Sequence, residues 1–271
     1  MTKPLLHVKY LIPKILLPLI LLGCTADLRN HHFDKVNESE RKIKGKKLLT
    51  RAALVHQDSS ITSKTKSSVV ILEDHWKGLT KLFCPWPESR TQLKLKFTPN
   101  KKEGQVTFLT TKEKGTTWGV KKGKTYQLKE GKPVYTPNKN MALFVPGLQY
   151  LLNLPVRASR EASQVIYIGE EKLGDKNFDL VLATWGKGFS LDKKYDQFVF
   201  WINKKSGLVE KAGFTTREFS RLYKACLHFE DFKSVHGALK PHLLRVNSHC
   251  KKDPEKNDRV ISVSKWTMGG L

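Results

Sequence analysis

The sequence predicts a β-rich α+β domain: one continuous antiparallel meander, preceded by a helix and interrupted once by an apolar helical segment. Three observations carry that expectation. Short apolar or alternating stretches recur from Val69 to Trp266, separated by polar, Gly-containing turns. One helix-period pattern precedes them. A second apolar pattern falls among them, and no fixed-period repeat divides the chain, so a single domain is expected.

The early helix is placed at 39–56, where Leu48, Leu49, Ala52, Ala53 and Leu54 recur at helical spacing. The clearest strand is 90–97, with Leu93, Leu95 and Phe97 on one side and Lys94 and Lys96 on the other. Strands are also expected at 69–76, 105–111 and 116–120, followed by a hairpin over 126–135 turned at Glu130-Gly131. Residues 140–154 form the most apolar stretch of the domain, with Met141, Leu143, Phe144, Leu148, Leu151 and Leu152; Pro146 and Gly147 predict two short helices there. Further strands follow at 164–170, 177–185, 197–203, 208–216, 225–232, 239–246 and 259–266. Asp175-Lys176, Lys205-Ser206-Gly207 and His236-Gly237 supply turns between them.

The first 23 residues stand apart. Lys3 and Lys9 lead a stretch that is almost wholly apolar from Tyr10 to Gly23 apart from Pro13 and Lys14. Its uninterrupted apolar run is less than half of the roughly 20 residues that a spanning helix needs, which is the size of a signal-peptide core. The run ends in Leu21-Leu22-Gly23-Cys24 and resembles the lipobox of bacterial lipoproteins. That resemblance implies cleavage before Cys24, acylation of its thiol and a stable membrane anchor, since two or more acyl chains hold where one is marginal. Thr25 stands where an aspartate would favour inner-membrane retention, so the expected location is the cell envelope, lipid-anchored, on the periplasmic side of an outer membrane. The expected organisation is a leader at 1–23, a tether at 24–38 and a folded domain at 39–271.

At 39% apolar and 27% charged, the 271-residue chain can build a core. Its net charge is +24, and the leader removes only three lysines, so nearly all of the excess stays with the domain. Such a surface favours an anionic partner. Export argues against nucleic acid and leaves an anionic membrane surface or an acidic envelope polymer; a basic proteome with no dedicated partner is the alternative. Of the four cysteines, Cys24 is committed to lipid. Cys226 and Cys250 flank the hairpin centred on His236-Gly237, and an oxidising envelope permits a disulfide between them that leaves Cys84 over.

The run from Tyr195 to Lys211, YDQFVFWINKKSGLVEK, is similar to the strand-turn-strand of outer-membrane lipoprotein-sorting proteins, the LolA/LolB-like superfamily. The run from His228 to Gly237, with Pro241 after it, resembles the next hairpin of that family. The resemblance covers residues 39–246. It implies an incomplete antiparallel β-barrel, a curved meander around an apolar cavity with short helices as a lid, that receives lipid or lipoprotein acyl chains. The residues expected to line such a cavity are Leu143, Phe144, Leu148, Leu151 and Leu152 as lid, over Leu93, Leu95, Phe97, Phe108, Trp118, Leu180 and Leu182. The competing expectation is a solid core, because any domain of this size buries such residues.

Catalytic signatures are absent: no G-x-S-x-G, H-E-x-x-H, C-x-x-C or phosphate-cradling loop occurs. His236, His242 and His249 are irregularly spaced, and Asp74 and His75 point to opposite faces of one strand. No catalytic residue, metal or cofactor is expected. Three functions remain open: a module that binds a hydrophobic ligand, a tethered protein that binds an anionic polymer or an envelope protein partner through its lysines, and a hydrolase or transferase. The last would need a polar cluster that the spacing does not show.

Overall fold

The computed structural model describes residues 25–29, 37–57, 67–99, 101–218, 220–248 and 257–269. The leader, Cys24, His249 and Cys250 lie outside the described residues. Helix α1, Glu38–His56, leads into strands β1 Ser67–Trp76, β2 Arg90–Phe97, β3 Gly104–Phe108, β4 Thr117–Lys121, β5 Lys124–Lys129 and β6 Lys132–Tyr135. Helices α2 Lys139–Leu152 and α3 Leu154–Glu161 follow. The second run of strands is β7 Gln164–Leu173, β8 Lys176–Thr184, β9 Gln197–Asn203, β10 Val209–Thr215, β11 Lys224–Val235, β12 Ala238–Asn247 and β13 Arg259–Gly269.

The 13 strands form one antiparallel sheet in the order β6-β5-β4-β3-β2-β1-β13-β12-β11-β10-β9-β8-β7. Every pair but one joins strands consecutive in sequence. The exception is β1 with β13, Ser67 opposite Gly269 and Trp76 opposite Arg259, which brings the two ends of the domain into the middle of the sheet. Its edges are therefore β6 and β7, the two strands that α2 and α3 connect. The sheet is curved and does not close.

Local chemistry explains the elements. Strand β2 alternates without exception, with Thr91, Leu93, Leu95 and Phe97 buried and Arg90, Gln92, Lys94 and Lys96 exposed. Three hairpins turn on an X-Gly pair with both residues at positive φ: Lys122-Gly123 (50°, 74°), Glu130-Gly131 (52°, 77°) and His236-Gly237 (50°, 83°). That is the conformation of the two-residue turn whose twist matches paired strands, and glycine adopts its second position without strain.

The apolar segment departs from expectation. Pro146 and Gly147 do not split it: α2 runs through both and ends at Asn153, where α3 starts with Pro155 in its first turn. Asn138 caps α2 by accepting from the Met141 N–H at 2.9 Å. Met141, Val145, Leu148, Gln149 and Leu152 then recur on one buried face. An interior proline costs about 3 kcal/mol, and burying four large apolar side chains at about 1.5–3 kcal/mol each exceeds it.

Candidate functional site

One face of the sheet is covered by the three helices. Helix α2 lies over β3, β4 and β5, α1 over β7, β8, β9 and β12, and α3 packs against α1. The side chains between helices and sheet form one cluster that includes Leu49, Leu72, Leu93, Leu95, Phe108, Val145, Leu148, Phe200, Ala212 and Leu244, each no more than 1% exposed. Phe97 and Leu152 join it. Trp118, Phe144 and Leu151 are half-buried against it, and Leu143 is half-buried without joining it.

Leu180 and Leu182 take another place. They belong to a second cluster with Ile166, Ile168, Phe189 and Val199, while their strand neighbours Val181 and Ala183 join the first. The reason is register. Strand β8 is apolar on both faces, and pairing of Leu182 with Val199 and of Val181 with Phe200 assigns the odd-numbered residues to the helix-covered side. An uninterrupted apolar run carries no parity signal.

Between helices and sheet, the side chains named above are buried against one another. Two concavities lie elsewhere: one of about 450 Å³ bordered by Lys176, Phe178, Lys211, His228 and Phe232, and one of about 440 Å³ on the outward side of α1 between Ile43, Lys47 and Leu54. Neither is lined by α2 or α3.

Polar groups fasten the helices over this face. The Gln149 side-chain amide donates to the carbonyls of Thr98 and Lys101, at 3.0 and 2.6 Å, and ties α2 to the β2–β3 turn. Lys240 of β12 is 4% exposed, and its Nζ donates to the carbonyl of His56 at 2.7 Å and to Asn153 Oδ1 at 3.5 Å. One ammonium thus holds the end of α1 and the α2–α3 junction together, over the ring of Trp266 at 5.3 Å. The Trp266 Nε1 beside it is buried with no hydrogen-bond partner among the described residues. His56 is clamped through both ring nitrogens: Nε2 accepts from the Val209 N–H at 3.1 Å, so Nδ1 carries the proton and donates to the Leu239 carbonyl at 3.0 Å. Burial pushes its pKa down to about 4, with the nearby Lys240 charge adding to the effect and the Leu239 bond opposing it.

Sequence reasoning missed Lys240 and His56. The parity of Leu244 and Val246 was the available signal, since it carries Lys240 and His242 to the same inward side. The reasoning also missed the partner of Asp74. That carboxylate is fully buried, paired with Arg259 at 2.8 and 2.7 Å, and accepts from the indoles of Trp76 and Trp86 at 3.2 and 2.5 Å. It is committed to structure, with His75 on the opposite face. Cys226 is disulfide-bonded. Among the described residues no group of three His, Cys, Asp or Glu side chains could hold a metal, and no helix is long and apolar enough to cross a membrane.

No protein-family model matches the chain. No curated protein matches it either. Solved structures do. A LolA superfamily protein from Nitrosomonas europaea superposes with a TM-score of 0.52 at 12% identity, over 84% of this chain and 94% of that one. A domain provisionally assigned to outer membrane lipoprotein sorting, from Vibrio parahaemolyticus, gives 0.55 at 13% identity, over 85% and 94%. A DUF1329 family protein from Desulfovibrio piger gives 0.54 at 17% identity, over 85% and 95%. The incomplete barrel expected from the two hairpin motifs is the observed architecture, and it is the LolA-like fold.

Proposed function

From that fold as premise, we propose that this chain is an envelope lipoprotein, anchored through Cys24, that takes a lipid or lipoprotein acyl chain between its sheet and its helices and performs no catalysis. The observation that carries the reading is the open sheet. An antiparallel sheet that needed only a core could close on itself; this one leaves β6 and β7 unpaired with each other and covers a largely apolar face with helices held by a few polar contacts. Those contacts, the Lys240 and Gln149 bonds above all, are the ones that must break for an acyl chain to enter. Thr25, in the place where an aspartate would retain a lipoprotein at the inner membrane, supports an outer-membrane location.

The net charge of +24 favours a second reading, a tethered interaction protein whose excess of lysines binds an anionic envelope polymer or a protein partner. Mass spectrometry of hydrophobic molecules that co-purify with the native protein separates the two. A defined acyl-chain molecule at near-stoichiometric yield supports the binding module and names its cargo. A protein free of lipid that also fails to take up a fluorescent fatty acid refutes it and leaves the interaction reading.

A further inference from the structure

The exposed apolar side chains are not spread evenly over the molecule. Antiparallel pairing places the loops 77–89, 185–196 and 216–223 at one end of the sheet, where Trp76 meets Arg259, Thr184 meets Gln197 and Thr215 meets Lys224. That end presents Leu79 at 83% exposure, Leu82 at 81% and Phe83 at 52%, and also exposes Leu191 and Leu222. Exposed lysines and arginines stand among them, Lys81, Lys187, Lys193, Lys194 and Arg221, and outnumber the exposed acids of the same loops, Glu88 and Glu218.

The first of these loops is held outward by its own bonds. Trp86 donates to the buried Asp74, the Lys77 N–H donates to the Asp258 carbonyl at 2.8 Å, and Thr80 Oγ1 donates to the same carbonyl at 2.6 Å. Leu79 and Leu82 are therefore presented by an anchored turn, Gly78–Phe83, at the cost of leaving them in water.

The segment after Cys24 docks at this same end. The Ala26 N–H donates to the Arg221 carbonyl at 2.8 Å, Arg217 donates to the Ala26 carbonyl, and the Leu28 N–H donates to Gln197 Oε1 at 2.9 Å. Leu28 packs against the second apolar cluster, and Arg29 reaches the Phe189 carbonyl at 3.1 Å. Residues 25–29, expected as free tether, are strapped to the domain. Cys24 directly precedes Thr25 in the sequence.

We infer that this rim is a bilayer-docking surface: Leu79, Leu82, Leu191 and Leu222 enter the interfacial region of an anionic membrane while the surrounding cations meet its phosphates. The strap holds the rim toward that membrane. An apolar side chain alone would suit a protein partner equally; the interleaved positive charge and the docked chain leading to Cys24 select a lipid surface. The surface rests on the proposed lipid anchor at Cys24 and does not depend on whether the interior takes an acyl chain.

The test is hydrogen exchange of the full chain with Cys24→Ser, free and with vesicles of phosphatidylglycerol and phosphatidylcholine at 3:7. Expected is protection of 77–89, 187–194 and 218–224, with the outward face of α1 unchanged although Ile43 and Leu54 are more exposed than Leu191 and Leu222. Leu79→Ser with Leu82→Ser removes that protection and weakens vesicle partitioning about tenfold or more, at an unaltered melting temperature. Vesicle-bound protein whose rim exchanges as in the free state, protection on α1 instead, or no vesicle binding at all overturns the proposal.

Discussion

His56 shows how one side chain couples packing to pH. Its imidazole must be neutral to accept from Val209 and donate to Leu239, and burial holds its pKa at about 4. In the unfolded chain it titrates at its ordinary value near 6.5. Between those values the unfolded state binds a proton that the folded state refuses, so stability is full above pH 6.5 and falls as pH drops toward 4, by on the order of 3 kcal/mol in total. Urea unfolding across that window in wild type and in His56→Gln checks it: this component of the pH dependence is absent from the variant. Asp74 makes the opposite kind of commitment, a buried charge held by a buried partner. Asp74→Asn leaves Arg259 without its anion, and the expected loss is about 3–5 kcal/mol by denaturant unfolding. The adjacent Asp74 and His75 were legible as a pair on opposite faces; Arg259, far away in sequence, could not be read from any spacing.

At the scale of elements, α1 depends on a residue that ordinary helix propensity would discourage. Gly45 sits mid-helix where a Cβ would lie 2.5 Å from the Tyr167 nitrogen and 2.6 Å from the Ile166 carbonyl carbon, both backbone atoms of the edge strand β7. Glycine lets the helix axis ride directly over that edge, which also shields an otherwise open strand. Gly45→Ala should raise intrinsic helix propensity by about 1 kcal/mol yet destabilise the domain by about 1–3 kcal/mol, because neither backbone can give way. Thermal unfolding read by circular dichroism decides the sign. Strand β2 was legible residue by residue because one face is wet. Helix α2 was legible as apolar but not as continuous, since the force that carries it past Pro146 is burial against strands β3 to β5, which the local sequence does not display.

For the whole molecule, the critical joint is β1 with β13. These strands are nearly the length of the domain apart in sequence yet lie side by side in the middle of the sheet. Deleting β13 would therefore expose two central strands, β1 and β12, rather than trim an edge. We expect the deleted chain to lose cooperative unfolding and to aggregate, read by urea titration and light scattering; a soluble protein with a sharp transition would contradict this topology. The opposite edge, β6, has all four residues exposed and carries Pro133, which removes a ladder donor and blunts pairing with another chain.

What the sequence determined by itself was the strands and the first helix, most strand limits to within two or three residues, and the turn sites. Those depend on local periodicity and on backbone conformations that particular residues permit. Tertiary structure alone decided which side of β8 faces the helices, that α2 continues through its proline, that Lys240 clasps the helices, and that residues 25–29 lie against the rim. Each of these is an energy difference between alternatives that are locally equivalent. Only contact with a distant part of the chain distinguishes them.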